Sequence, residues 1–258
     1  MNFILQEKIG GILKITLNRP DKFNSFNREM ALDLINTLDS GELDKSTRSI
    51  FITGSGKAFC AGQDLSEAID KNGPGIEKIV EEHYNPIIKK IRSIAKPVVC
   101  AVNGVAAGAG ANIALSCDVV IAAESASFIQ AFSKIGLIPD SGGTFFLPRL
   151  IGFQRASALM MLGDKVNAKE ALQMGMLYKI ITDEQLEPEG IKIAEILSNM
   201  PTRGIGLTKK LLNESMNNDL FSQLSREGQE QVIAASTYDY NEGVNAFLEK
   251  RKPIFRGE

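Results

Sequence analysis

The sequence predicts an α/β fold followed by a helical C-terminal region. Apolar runs typical of strands alternate with helix-like patterns up to about residue 200, an order that favours crossover units and a largely parallel sheet. From Pro201 onward only helical patterns occur. The chain has 258 residues, of which 44% are hydrophobic and 23% charged, so it can bury a large core and is not disordered. We therefore divide it into an α/β core, residues 1–200, and a helical domain, residues 201–258.

Each predicted element follows from its periodicity. The run ILKITL at 12–17 alternates as a half-buried strand does, and Asn27 precedes a helix whose apolar residues share one side. Further strands are predicted at 48–53, 97–102, 118–122 and 176–181. Further helices are predicted at 64–71, 76–95, 109–116, 152–162, 167–173, 183–199, 204–217, 219–236 and 239–249.

Residues 98–117 form a stretch of twenty residues without a charge, and Gly104-x-x-x-Gly108 within it is a spacing found in paired membrane helices. The stretch is rich in Ala and Gly rather than Leu and Phe, and it contains Asn103, Asn112 and Ser116. Its transfer into lipid would be weakly favourable at best. We predict a buried strand, a glycine turn and a buried helix instead, and no membrane partner.

Composition restricts the partners and the compartment. Lys and Arg total 29 against 31 Asp and Glu, a net charge of −2, so no general basic field favours nucleic acid or an anionic membrane. The three cysteines form no CxxC pair, which is typical of a reducing compartment. The N-terminal apolar run is too short for a signal peptide. We expect a cytoplasmic protein.

His83 is the only histidine, which excludes a multi-histidine metal site. It lies in the helix-like run EKIVEEHYNPIIKKI, so we interpret it as a helix-surface or partly buried residue rather than a catalytic one. The sequence contains no GxSxG, no complete phosphate loop and no GxGxxG. Serine hydrolase, nucleotide hydrolase and dinucleotide redox chemistry therefore lack their usual signals.

Two turns rich in small residues lead from strands into helices: FCAGQDL at 59–65 and NGVAAGAGAN at 103–112. Glycine and alanine let a ligand approach the main chain, and two N–H groups directed at one point form an oxyanion hole. The alternative is tight strand–helix packing, with Asp64 as an N-cap and Glu67 completing a capping box. For either turn alone we favour packing, but the two together favour a functional site.

The loop GLIPDSGGT at 136–144 contains a single charge, Asp140. A carboxylate in an apolar loop has a raised pKa and can act as a base. Alternatively, Asp140 caps the segment that begins near Gly143. Spacing alone leaves both interpretations open.

These motifs resemble those of the crotonase, or enoyl-CoA hydratase/isomerase, superfamily along essentially the whole chain. The resemblance implies a core made of a spiral of ββα turns and a C-terminal helical trimerisation domain, assembled as a homotrimer or a dimer of trimers. It also implies acyl-CoA thioester substrates and no cofactor beyond the coenzyme A that the substrate carries. The matching segments are NRP at 18–20, NS at 24–25, FCAGQDL, KPVVCAVNGVAAGAG, IPDSGGT and FLEKRKPIF.

The resemblance also assigns roles to individual residues. It places the oxyanion donors at the backbone N–H groups of Gln63 and Ala109, and it matches Asp140 with the catalytic aspartate of isomerase members. Independently of the resemblance, Phe132, Phe145 and Phe146 could supply an apolar acyl pocket, although we favour core packing for at least two of them. Phe247 and Lys250 would reach coenzyme A from a neighbouring subunit, and a solvated tail is the alternative. The resemblance suggests that four residues of the first turn line the CoA adenine site through their backbones: Ala61, Gln63, Asp64 and Leu65. The other implied substrate or CoA contacts are Gly108, Phe132, Phe247 and Lys250.

Two departures bear on the reaction. Hydratase members carry glutamates where this chain has Asn112 and Phe132, so the resemblance disfavours simple hydration. It implies an isomerase that converts ring-1,2-epoxyphenylacetyl-CoA to oxepin-CoA, shifts a double bond in enoyl-CoA, or does both. A Δ3,Δ2-enoyl-CoA isomerase or an enoyl-CoA hydratase of fatty-acid oxidation is the alternative within the family. A non-catalytic acyl-CoA or RNA-binding scaffold is the alternative from another class.

Overall fold

The computed structural model describes residues 2–258, which form ten strands and twelve α-helices joined by short helical turns. The strands are β1 (Ile4–Ile9), β2 (Ile12–Leu17), β3 (Ser49–Gly54), β4 (Ala58–Cys60), β5 (Val98–Val102), β6 (Val105–Ala107), β7 (Val119–Ala123), β8 (Ser127–Ile129), β9 (Lys165–Asn167) and β10 (Lys179–Ile181). The core helices are α1 (Arg28–Leu43), α2 (Leu65–Ala68), α3 (Gly75–Lys78), α4 (Asn85–Ser93), α5 (Ala109–Leu115), α6 (Gly143–Ile151), α7 (Phe153–Leu162), α8 (Ala168–Met174) and α9 (Leu186–Ser198). The last three helices are α10 (Thr202–Ser215), α11 (Leu220–Ala235) and α12 (Tyr238–Leu248).

Two sheets make up the core. The larger has the order β1-β2-β3-β5-β7-β10 and is parallel except for β1, and the smaller has the order β4-β6-β8-β9 and is parallel except for β9. From β3 to β8, successive strands alternate between the sheets, so that β3 and β4, then β5 and β6, then β7 and β8, form the strand pairs of successive turns of a spiral. The ββα spiral that the resemblance implied is thus confirmed.

The larger sheet carries most of the hydrophobic core. Every residue of β5 is buried, as expected for a central parallel strand covered on both faces, and α9 packs directly on β3 and β5. The uncharged stretch at 98–117 consists of β5, β6 and α5, as predicted from its composition. Among residues 2–258, no helix is long and apolar enough to cross a membrane.

The five predicted strands are present, with ends that differ by at most three residues. The predicted helix at 76–95 is interrupted, because residues 79–84 form a π-helical turn between α3 and α4. The prediction omitted β1, α6 and the whole smaller sheet. The strands of the smaller sheet are three residues long, too short for an alternating pattern to be recognised.

Asn24 connects the loop after β2 to the strand that leads into the first glycine turn. Its side chain is fully buried, and its Nδ2 donates to the carbonyl oxygens of Ser55 and Ala58, both at 2.8 Å. Its Oδ1 accepts from the backbone N–H of Arg19 at 2.8 Å. One amide side chain therefore satisfies three main-chain groups at this junction.

We expect Asn24→Ala to lower the free energy of unfolding by about 3 kcal/mol, because it leaves those buried main-chain groups without partners. Equilibrium urea unfolding measures the change. Asn36→Ala is the matched control, because Asn36 lies exposed on α1, and it should change stability by less than about 0.5 kcal/mol. Equal losses in the two variants would contradict this role for Asn24.

Candidate active site

A cavity of about 200 Å³ lies beside the two glycine turns. Seven of the ten predicted site residues line it. From the two turns come Ala61, Gln63, Leu65, Gly108 and Ala109, and from the segment after β8 come Phe132 and Asp140. The fold therefore brings both candidate donors and the candidate base to one space.

The first donor is held by a short bridge to the loop before α1. Phe26 N donates to Gly62 O at 2.7 Å, and Asp64 N donates to Phe26 O at 2.8 Å. Because main-chain groups alternate in direction along an extended segment, the N–H of Gln63 between them points away from Phe26. It has no acceptor among residues 2–258. Gly62 has a φ of +93°, which a residue with a side chain rarely adopts.

The second donor lies at the first residue of α5. Gly108 has φ +52° and ψ −126°, a combination open only to glycine, and it turns the chain from β6 into the helix. The N–H of Ala109 is one of the amides that a helix start leaves unpaired, and no side chain caps it. A Cβ built on Gly62 would lie 3.6 Å from Ala109 N, so the two donor segments are in contact.

Asp140 is half-buried, and its Oδ1 accepts from the Ser141 hydroxyl at 2.9 Å. Burial raises the pKa of this carboxyl, and the Ser141 hydrogen bond partly opposes the shift. The capping alternative is wrong, because Gly142 is the N-cap residue of α6 and no side chain caps that helix. Asp140 is instead one of the residues that line the cavity.

Asn112 and Phe132 stand at the two positions where the resemblance places glutamates in hydratases, and neither has a carboxylate. Asn112 Nδ2 donates to the Asp140 carbonyl oxygen at 2.9 Å, and Asn112 Oδ1 accepts from Gln130 at 2.8 Å. Phe132 contributes an apolar ring to the cavity wall. Within the described residues, Asp140 is the only carboxylate that lines the cavity.

Tyr84 is a cavity residue that the sequence did not reveal. Its hydroxyl donates to Gln63 Oε1 at 2.9 Å, and Gln63 Nε2 donates to Glu67 at 2.9 Å. Burial raises the pKa of the Tyr84 phenol, so it remains protonated. The π-helical turn brings Tyr84 to the cavity, and such a turn leaves no recognisable sequence pattern.

Asp64 does not line the cavity. Its side chain caps α2 by accepting from Ser66 N at 3.0 Å, as the packing alternative predicted, and it pairs with Arg19 at 2.9 Å. The predicted capping box is wrong, because the Glu67 carboxylate accepts from the N–H of Arg28 at 2.9 Å instead.

Other candidate residues lie elsewhere. Phe145 and Phe146 pack edge to face on α6, with ring centroids 5.1 Å apart, and do not line the cavity. Of the three candidate rings only Phe132 lines it, which agrees with the expectation that at least two serve in packing. Phe247 and Lys250, at the end of α12, are exposed and also lie outside the cavity wall of their own chain. Their contact with a neighbouring subunit stays a prediction.

His83 is fully buried, not at the helix surface or partly buried as predicted, and its Nε2 lies 3.1 Å from the Arg28 guanidinium. It does not line the cavity. Within residues 2–258, no three His, Cys, Asp or Glu side chains cluster as metal ligands.

Comparisons with known proteins identify the family to which the chain is similar. Residues 7–258 match the family model described as enoyl-CoA hydratase/isomerase. The 1,2-epoxyphenylacetyl-CoA isomerase of Escherichia coli K12 is 46% identical over 261 aligned residues, covering 100% of both chains. The crotonyl-CoA hydratase of Syntrophomonas wolfei is 35% identical and covers 98% of this chain and 97% of its own. The crystal structure of an enoyl-CoA hydratase from Bacillus anthracis has a TM-score of 0.93 at 35% identity, covering 100% of both chains.

The Ser141 hydrogen bond provides a test of the environment of Asp140. Because the hydroxyl stabilises the charged carboxylate, its removal in Ser141→Gly should raise the pKa of Asp140 further. Glycine tolerates the φ of +51° at this position. Carboxyl-carbon NMR titration measures the pKa, and Asp183, whose pKa is lowered by its hydrogen bond from Ser125, is an internal control that should not move. An unchanged or lowered Asp140 pKa would contradict the assignment.

Proposed function

The chain belongs to the enoyl-CoA hydratase/isomerase family and is an enzyme of the crotonase superfamily, and from that premise we propose that it isomerises acyl-CoA thioesters. Its substrates are ring-1,2-epoxyphenylacetyl-CoA, converted to oxepin-CoA, and enoyl-CoA thioesters whose double bond it shifts. One observation carries the proposal. Gln63 and Ala109, whose N–H groups have no acceptor among the described residues, line one cavity together with Asp140.

In this mechanism the two N–H groups bind the thioester oxygen. The proton on the carbon next to a thioester is too weakly acidic for a carboxylate unless the resulting enolate is stabilised. Losing one donor of such a pair raises the barrier by about 3 kcal/mol. A positioned base contributes a factor of about 100 or more. Both parts are therefore needed.

For a 3-enoyl substrate, the Asp140 carboxylate removes a proton from C2 and the electron pair moves into a dienolate. The protonated Asp140 then returns the proton at C4, which places the double bond between C2 and C3. The number of protons and electrons is unchanged, so the step needs no redox cofactor, and the two N–H groups stabilise the enolate oxygen without a metal in this proposal. With the aromatic epoxide, the same polarised thioester and carboxylate assist opening of the fused ring to the seven-membered oxepin.

The cavity wall favours isomerisation over hydration. Hydration requires groups that position and activate a water molecule, and the second carboxylate that would share this task is absent from the described cavity wall. The Nδ2 and the Oδ1 of Asn112 are both hydrogen-bonded to other protein groups, and Phe132 is apolar, so neither residue can activate a water molecule. The 46% identity with 1,2-epoxyphenylacetyl-CoA isomerase supports the aromatic substrate, and with it a role in phenylacetate catabolism.

We also propose that the enzyme assembles as a homotrimer or a dimer of trimers through its C-terminal helices. Large apolar side chains on these helices are strongly exposed, including Phe221 at 82%, Val232 at 72%, Phe247 at 82% and Leu248 at 71%. Apolar surface of this kind marks an interaction site. In such an assembly, Phe247 and Lys250 contact the coenzyme A of a neighbouring subunit.

Native mass spectrometry tests the assembly. The expected mass is three or six times the 28.1 kDa of the chain. A monomer or a dimer at micromolar concentration would contradict the proposed assembly without bearing on the reaction.

Asp140→Asn tests the reaction itself. We expect kcat to fall by about 100-fold or more with both ring-1,2-epoxyphenylacetyl-CoA and 3-enoyl-CoA, because the amide cannot accept the proton. Asp164→Asn is the matched control, because Asp164 is exposed and lies outside the cavity wall, and it should retain the parent rate. Rates of Asp140→Asn equal to the parent with both substrates would remove Asp140 from the mechanism. Hydration of 2-enoyl-CoA measured beside them would show a hydratase instead.

A further inference from the structure

We propose that Asn112 and Gln130 are positioning residues that fix the main chain of the base Asp140 relative to the oxyanion donor Ala109. This inference rests on the proposed function, since it concerns the geometry between the donor and the base. Neither side chain lines the cavity. Both act through the groups that they hold.

Asn112 connects the two catalytic elements directly. It lies on α5, three residues after Ala109, the residue that begins this helix. Its Nδ2 donates to the carbonyl oxygen of Asp140 at 2.9 Å, across 28 residues of sequence. A single side chain therefore links the helix that carries one donor to the main chain of the base.

Gln130 determines which way the Asn112 amide faces. Because Asn112 Nδ2 points at a carbonyl oxygen, its Oδ1 must meet a donor on the other side, and Gln130 Nε2 supplies that donor at 2.8 Å. The two side chains are only 1% and 3% exposed, and Gln130 Oε1 is buried without a partner among residues 2–258. A protein with two buried amide side chains and one unsatisfied oxygen is less stable than one with apolar side chains of the same shape at these positions. The presence of Asn112 and Gln130 is explained if they hold Asp140 in position.

The loop that Asn112 holds has an unfavourable main chain. Asp140 O also accepts from Gly143 N at 2.8 Å, which closes a turn whose central residues, Ser141 and Gly142, have φ values of +51° and +71°. A positive φ at serine costs about 1 kcal/mol or more, so the turn benefits from a second hydrogen bond to the same carbonyl. A Cβ on Gly143 would lie 2.4 Å from Asn112 Nδ2, so a side chain there would exclude the amide.

The direction of the Asp140 carboxylate follows from the main chain that carries it. The base must reach two carbons of a substrate whose thioester oxygen is bound at Ala109. An error of about 1 Å in such a geometry can lower the rate by about 100-fold. Loss of the Asn112 link should therefore reduce turnover without preventing substrate binding.

The test compares Asn112→Leu, Gln130→Met and the double variant with the parent. We expect kcat on 3-enoyl-CoA to fall by about 10-fold to 100-fold in Asn112→Leu, with KM changed by less than about threefold. Gln130→Met should lower kcat less, and it should have no further effect once Asn112 is replaced, because it acts through that residue. If the reduction of kcat in the double variant equalled the product of the two single reductions, Gln130 would not act through Asn112, and the inference would be overturned.

Ser116→Ala is the matched control for lost stability. Ser116 is fully buried near the end of the same helix, and its hydroxyl donates to Ile113 O at 2.7 Å without touching the Asp140 loop. This variant should be destabilised in thermal unfolding and yet retain the parent kcat. If it lost kcat as Asn112→Leu does, or if Asn112→Leu kept the parent kcat, the positioning role would be wrong.

A second measurement does not depend on turnover. In Asn112→Leu the loop that carries Asp140 loses a hydrogen bond and admits water, so the pKa of Asp140 should move down toward its ordinary value. If Asn112→Leu does not fold, Gln130→Met takes its place in this measurement. Carboxyl-carbon NMR titration reads this shift, and Ser116→Ala should show none. An unmoved Asp140 pKa would overturn the inference. If the parent turned over no acyl-CoA tested while the Asp140 pKa still moved as expected, the proposed function would be overturned, and only the structural link between Asn112 and the Asp140 loop would remain.

Discussion

The close contact between the 61–64 segment and the beginning of α5 is the constraint on which the site depends. Strands β4 and β6 are parallel neighbours, so the turns that follow them emerge at the same edge of the smaller sheet. Only glycines permit the final approach. A Cβ on Gly62 would lie 3.0 Å from Ala107 O, and one on Gly110 would lie 2.3 Å from Cys60 O. With larger residues the two N–H groups could not share one oxygen.

Burial of the cavity has two effects on its chemistry. An apolar wall strengthens the interaction between the main-chain donors and a developing negative charge, because little water competes for it. The same burial raises the pKa of Asp140, which makes the carboxylate a stronger base. The Ser141 hydroxyl opposes that rise, because it donates a hydrogen bond to the charged carboxylate.

The sequence allowed prediction of those parts of the candidate site that depend on local main-chain conformation. The glycine turns around Gln63 and Ala109 and the lone charge of the Asp140 loop were recognisable because glycine, proline and an isolated carboxylate have specific local consequences. Tyr84 was not recognisable, because a π-helical turn changes which side of a helix faces the cavity. Glu67 was misassigned to a capping box because its true partner, the N–H of Arg28, is 39 residues away. Tertiary partners at such separations leave no periodic signal.

The alternation of strands between the two sheets gives the catalytic groups a modular arrangement. Gln63 follows β4, Ala109 follows β6, and Asp140 belongs to the segment after β8, so each spiral turn supplies one group. In the proposed reaction, the first two groups bind the thioester that substrates of this kind have in common, whereas the third determines where protons move. The proton chemistry therefore depends on the segment after β8 together with Asn112 of α5, which holds that segment. Redesign of the reaction would have to exchange both at once while the two donor turns stay as they are.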